Sequence, residues 1–436
     1  MQTSLETLGQ LERRLNVAVP RDAIENEVAK RLARLAKNVK VPGFRPGHVP
    51  LKMVAQQYGP QVRSDVITDT VQATVSNAIR DQNLRVAGPP RIEPKAGDAA
   101  ADQFEFSAVF EVYPDVRIGD LSNATITRPM ADVAPKDVDD TIEILRKQRA
   151  TYTPVARAAA SGDRVVVDFT GRIDGVEFQG GQAKDFAIDI GEGRMLPEFE
   201  LAVTGMQADE TKVFKLTFPL DYHGKEVAGK EAEFTLHAKS VASPALPPVD
   251  ADFAKAFGIA DGNLDDLRSE INANLNRELK RKIESKVKEQ ALSALRRSAE
   301  LAVPRTLVNQ EAQAMAERMA AELAQQGMKP ADVQLTPDMF AAGAEERVAL
   351  SLIVSEAVRQ HSLQAKPEQV KALVLETAQT YEQPDAVVRW HYEKPERLNE
   401  FEALVVERNV VDWICSQARV QDVPVPFTEL MTPPRS

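Results

Sequence analysis

The segment SPALPPVD, residues 243–250, divides two textures in a chain that, at 436 residues, is too long for one ordinary domain. Its prolines each fix φ, so the segment reads as a stiff, extended joint. Ahead of it, from Gly162 to Val241, lie short β-rich runs broken by glycine: RVVVDFTG, VEFQGG, DFAIDIG, TKVFKLTF and EFTLHAKSV. Within that block only LPEFELAV reads as helix, with Pro197 suited to a first turn and Gly205 just past the end. This pattern predicts a small antiparallel β domain carrying one short helix.

Behind the joint, every pattern is helical. Apolar positions run Leu267, Ile271, Leu275, Leu279, Ile283, Val287, Ala291 and Leu295, four apart with no three-residue correction. Each step overshoots a turn by about 40°, so the stripe winds around a long helix that meets different neighbours along its length. That precession excludes a heptad coiled coil. Further helices are predicted at about 304–326, 337–361, 367–381 and 395–418, each opening at or near a proline. Residues 244–436 therefore read as an all-α domain.

The first 113 residues read as an α+β domain. LERRLNVAVP is a strand closed by Pro20. From Arg21 to Lys40, Ile24, Val28, Leu32, Leu35 and Val39 recur at helical spacing, with Lys30, Arg34 and Lys37 on another face. A second helix is predicted over about 64–82, and FEFSAVFEV, residues 104–112, alternates as a strand. Residues 114–150 form a helical connector, expected to pack on the C-terminal helices, and 151–243 form the β domain.

Charge is distributed unevenly. The 436-residue chain carries a net −11, yet its first 60 residues carry +5. A polyanionic partner is therefore expected at the N-terminal end alone, and a general DNA-binding role is excluded. The start, MQTSLETLGQLERRL, has no apolar h-region, and no run of 18 apolar residues follows. These features predict a cytoplasmic protein that does not enter membranes. Cys415 is the sole cysteine, so no internal disulfide is possible, and it reads as an inert core thiol.

Searches for acid–base, nucleophilic or metal chemistry come up empty. His48, His223, His237, His361 and His391 show no metal-ligand spacing, so neither metal nor cofactor is expected. Gly191-Glu192-Gly193 lacks the third glycine of a phosphate loop, and Gly180-Gly181-Gln182 sits between strands without a basic flank; both read as turns. What stands out is apolar. Phe169, Phe178, Phe186, Phe199, Tyr222 and Phe234 fall within 70 residues of a chain only 6% aromatic. On composition alone, a well-packed small β core is the favoured account of them.

Their order does more. GDRVVVDFTGRIDGVEFQGG…DFAIDIGEGRMLPEFE…PLDYHG…AEFTLHAKSV resembles the FK506-binding-protein type of prolyl isomerase. The resemblance implies a proline-binding pocket of Phe169, Phe178, Phe186, Met195, Leu196, Phe199, Tyr222 and Phe234, acting without an acid, base or nucleophile. Phe199 stands where the family often has a tryptophan, Gln179 where many members have an acid, and Glu198 where glycine is usual.

With the N-terminal motif Gly43-Phe44-Arg45-Pro46-Gly47 and the helical C-terminal region, the domain order resembles the bacterial trigger factor family over the whole chain. That implies docking of the 43–47 loop on the large ribosomal subunit beside the tunnel exit, touching protein and rRNA, with Lys37 and Lys40 adding salt-sensitive attraction. The helical region, with Met315, Met319, Met328 and Met339, would hold nascent and unfolded chains, or those methionines are simply core. Weak self-association off the ribosome is also expected. The competing reading is a free cytosolic prolyl isomerase whose helices bind a few partners.

Overall fold

The computed structural model describes residues 2–39, 44, 49–94, 103–220, 222, 224–327, 335–381 and 383–432. The chain forms two compact units, Met1–Arg128 with Ser285–Asp422, and Pro129–Glu284 with Val423–Ser436.

In the first unit, four antiparallel strands lie in the order Gln2–Thr7, Glu12–Pro20, Gln103–Glu111, Arg91–Pro94. Alternation turns Leu15, Val17 and Val19 to the same core as Phe106, Ala108 and Phe110. That face is covered by helices Arg21–Asn38 and Leu51–Asp81, through Ile24, Val28 and Leu32 on one and Val54, Val66 and Val75 on the other. The second helix starts thirteen residues before its expected position, running through Gly59 and Pro60. A proline removes one helical hydrogen bond and normally marks a break. Here Val54 and Val66 are both fully buried, anchoring the helix on either side of it.

The helical part of this unit contains Arg305–Gln325, Ala341–His361, Pro367–Ala378, Pro384–Tyr392 and Asn399–Gln417. One core gathers Leu121, Ile126, Leu295, Ile353, Val410 and Ile414, and another gathers Val370, Val374, Phe401 and Val405. The Glu111 carboxylate accepts from the backbone N–H groups of Arg305 (3.1 Å) and Thr306 (2.7 Å). It thereby fastens the positive end of a helix to the N-terminal sheet. Strand Arg419–Pro424, which pairs with Thr125–Met130, and the pair Ala299–Glu300 with Arg117–Ile118 interrupt the otherwise helical C-terminal region.

The long helix spans Leu264–Ser298. Its stripe precesses as its spacing requires: Leu267 and Ile271 pack with Val138, Ile142 and Phe253, whereas Ala291 and Leu295 belong to the core around Ile353 and Ile414. Val138 and Ile142 come from helix Pro135–Gln148 of the connector.

The second unit contains the β domain. Its antiparallel sheet runs Thr211–Thr217, Glu231–Ala245, Arg164–Ile173, Val176–Asp189, and Thr151–Pro154 pairs with the far end of Glu231–Ala245. The start of the proline-rich joint is thus strand, with Pro244 opposite Tyr152. Helix Pro197–Val203 closes a core centred on Val165, Val203, Met206 and Leu236.

Candidate active site and docking loop

The site is built on the β domain's sheet and its short helix. Strand Arg164–Ile173 supplies Phe169, strand Val176–Asp189 supplies Phe178, and strand Glu231–Ala245 supplies Phe234. The short helix supplies Phe199, while Met195 and Leu196 precede it. Together with Tyr222 these residues line a cavity of about 650 Å³. Seven of the eight sequence-predicted pocket residues therefore converge. Phe186 does not line the cavity; it is 38% exposed and meets Phe169 edge-on at 5.7 Å. Next to it, Asp185 has φ +53° and the strand register slips between Val167 and Phe169, so an extra residue is accommodated there.

Phe199 forms the floor. It is 2% exposed and meets Phe169 at 5.4 Å and Phe234 at 5.5 Å, both near-perpendicular. This edge-to-face geometry is the favoured one for aromatic pairs. Phe178 stands edge-on to Phe234 at 6.0 Å. Two glycines make room for these rings. A Cβ on Gly171 would lie 2.5 Å from Phe234, and one on Gly181 would lie 2.8 Å from the Phe178 ring. The glycines read as turns in sequence are in part clearance for aromatic walls.

Sequence reasoning missed Phe218, which is 5% exposed, lines the cavity and lies 4.8 Å from Tyr222 and 6.0 Å from Phe178. It also missed Leu216 and Val227. The signal was present: Phe214, Leu216 and Phe218 alternate along one face of TKVFKLTF.

Carboxylates brace the β domain. Asp163 is 2% exposed and accepts from Arg157 at 2.5 and 3.0 Å and from the Ala160 N–H at 2.8 Å. The Arg157 guanidinium holds its carboxyl below the ordinary aspartate range, against the opposing effect of burial. Asp189 is lowered in the same way by a bidentate pair with Arg164, whose guanidinium stacks over Tyr152 at 3.8 Å. The Asp185 N–H and the Lys239 ammonium both hold Asp168 low, and Lys239 also reaches Asp185 at 2.6 Å. These pairs tie strands and loops of the β domain together, and none of their members lines the cavity. Among the described residues no cluster of His, Cys, Asp and Glu fits a metal ion. Cys415 is half-buried and its thiol is pushed up by burial.

At the N-terminal end, Lys37 is exposed in the last turn of helix Arg21–Asn38, and Phe44 is 38% exposed beyond it. Gly43, Arg45, Pro46, Gly47 and Lys40 lie outside the described residues. Met319 and Met339 are exposed, at 38% and 66%, Met315 is half-buried, and Met328 lies outside the described residues. No described helix is long and apolar enough to cross a membrane.

A cavity walled mainly by aromatic rings, with Arg194, Lys225 and Glu226 also in its lining, on an antiparallel sheet with one short helix, fits the binding pocket of a prolyl isomerase domain. The comparisons agree: residues 155–239 match the family model of FKBP-type peptidyl-prolyl cis-trans isomerases. Residues 1–145 match the bacterial trigger factor protein model, and 263–416 match the trigger factor C-terminus. Curated trigger factors of Nitrosospira multiformis and Aromatoleum aromaticum are 50% and 51% identical, each over 99% of both chains. That of Dechloromonas aromatica is 47% identical over 99% of both. The chain belongs to the bacterial trigger factor family. It is a ribosome-associated chaperone with a built-in prolyl isomerase domain, and the free-isomerase alternative is not favoured.

Proposed function

We propose that the cavity over Phe199 is where the prolyl bond turns, and that three parts divide the work. Residues 1–113 dock on the ribosome, 151–243 isomerise, and 244–436 hold the emerging chain, with 114–150 as a connector. Rotation about the prolyl bond faces a barrier of about 18–20 kcal/mol, sustained by amide resonance. Uncatalysed exchange takes tens to hundreds of seconds, slow enough to limit folding. The planar amide is the more charge-separated form. Walls of Phe169, Phe199 and Phe234 stabilise it poorly and accommodate the twisted, less polar form, which is differential binding of the transition state. The observation that carries this reading is the convergence of seven apolar residues, from three strands, a helix and two loops, on one cavity.

Docking is assigned to the 43–47 loop. Phe44 fits an apolar recess, Arg45 fits a carboxylate or an rRNA phosphate, and Lys37 and Lys40 add counterion-release attraction. The exposed Met319 and Met339 suit adaptable contact with unfolded segments. The site of action is the cytoplasm, at the large subunit near the tunnel exit, with weak self-association once released. Co-sedimentation with ribosomes across a salt series tests the loop. The native chain should pellet less as salt rises, and Phe44→Ala/Arg45→Ala should not pellet; equal pelleting of both removes the loop's role.

A further inference from the structure

We infer that Phe214, which does not line the cavity, is a positioning residue for prolyl isomerisation, holding the floor ring Phe199 and the wall ring Phe234 in register. This rests on the cavity being the isomerase site. Phe199 is gripped edge-on by three rings, and two of them, Phe169 and Phe234, line the cavity themselves. The third, Phe214, stands at 5.4 Å and 84° from Phe199. It also stacks on Phe234 at 5.8 Å and 26°, its directly opposed partner across the strand pair. One side chain thus fixes the relative placement of floor and wall.

The strand carrying it has a second hold on the floor. Lys212, two residues earlier, donates from Nζ to the Ala202 carbonyl at 2.8 Å, on the helix that bears Phe199. The strand Thr211–Thr217 lies at the sheet's edge, with Val213 and Lys215 turned outward, so its inward residues serve the helix and the cavity. A floor ring held from behind keeps its position as the bound prolyl bond twists. A floor left loose is expected to affect the turnover step more than ground-state binding.

The test uses the full chain and a tetrapeptide containing one Xaa-Pro bond, reading kcat and KM separately. Phe214→Ala is expected to lower kcat about tenfold with KM held within about twofold, and Phe214→Tyr, which keeps the ring, to stay within about twofold of native. Phe199→Leu serves as the control for the cavity itself. If Phe214→Ala keeps native kcat while Phe199→Leu loses it, the positioning role is refuted and the cavity stands. If neither variant loses kcat, the cavity reading fails with it. Should Phe214→Ala be unfolded at the assay temperature, Phe214→Leu, which keeps bulk without the edge-on ring, replaces it under the same criteria. Equal loss in Phe214→Tyr and Phe214→Ala would overturn the proposal as well.

Discussion

Replacing Gly171 by alanine should jam the aromatic cavity while leaving the backbone content. Gly171 lies in strand Arg164–Ile173 and is absent from the positive-φ positions, so alanine incurs no conformational strain there. Its new Cβ would sit 2.5 Å from Cε1 and 2.7 Å from Cζ of Phe234, and 3.0 Å from Cε1 of Phe178. Restoring ordinary van der Waals separation requires the Phe234 ring to retreat by about 1 Å. Its retreat is limited to the cavity it lines: it is 4% exposed and otherwise held by Phe199, Phe214, Phe178, Phe169 and Phe218 at 5.5 to 6.4 Å. Overpacking of this kind costs about 1–3 kcal/mol, which a domain of this size survives. A displacement of 1 Å at a reacting centre, which is what this cavity is proposed to be, costs up to about a hundredfold in rate.

The expected result for Gly171→Ala is therefore a folded domain, an earlier urea transition followed by near-ultraviolet dichroism, and kcat/KM down by about ten- to a hundredfold. Trp390 and Trp413 both lie in the helical region, so their fluorescence transition should not move and serves as an internal control. Gly175→Ala makes the contrast. Gly175 has φ +83° with nothing within 4 Å of a new Cβ, so it should cost about 1 kcal/mol through strain and leave kcat/KM intact. Native stability and native kcat/KM in Gly171→Ala would refute the argument that this glycine exists to clear the rings.

Acid should loosen the isomerase domain. Asp163, Asp168 and Asp189 all have folded pKa values below their unfolded ones, so their contribution is fully present above about pH 4 and is lost as pH falls below it. Asp163→Asn should lower stability at pH 7 by about 1–3 kcal/mol and shrink the acid-induced drop, measured as urea midpoints from pH 7 to pH 3. Ser362 ends helix Ala341–His361 at φ +54°, a conformation that suits glycine. Ser362→Gly should raise the midpoint of the tryptophan-reported transition, by about 0.5–1 kcal/mol.

Much of this architecture was legible because its signals are local. The precessing stripe of helix Leu264–Ser298 follows from spacing alone, and its two sets of partners followed in turn. Helix Leu51–Asp81 was read short because Gly59-Pro60 is a strong local stop, overridden by burial of Val54 and Val66. Strands Gln2–Thr7 and Arg91–Pro94 were unread because each is short, polar and at a sheet edge, stabilised by pairing that local sequence does not reveal. Helix Pro384–Tyr392 is only nine residues long, with Val388 partly buried against a core, too short for a repeating apolar stripe to announce it. In the cavity, the order of motifs carried most of the rings. Phe214 and Phe218 escaped because their role depends on which strands adjoin, and Phe186 lies off the cavity because a register slip beside it re-aims the chain.

The pairing of Thr151–Pro154 with Ala242–Ala245 means that the isomerase segment knots its own two ends together. Ala150 and Leu246, the neighbours left behind if 151–245 were cut out, emerge one strand spacing apart, about 5 Å. A two-residue turn spans that gap. The segment is consequently a cassette, insertable and removable at a single point, and evolution or an engineer can exchange it without redrawing the path of the remaining chain.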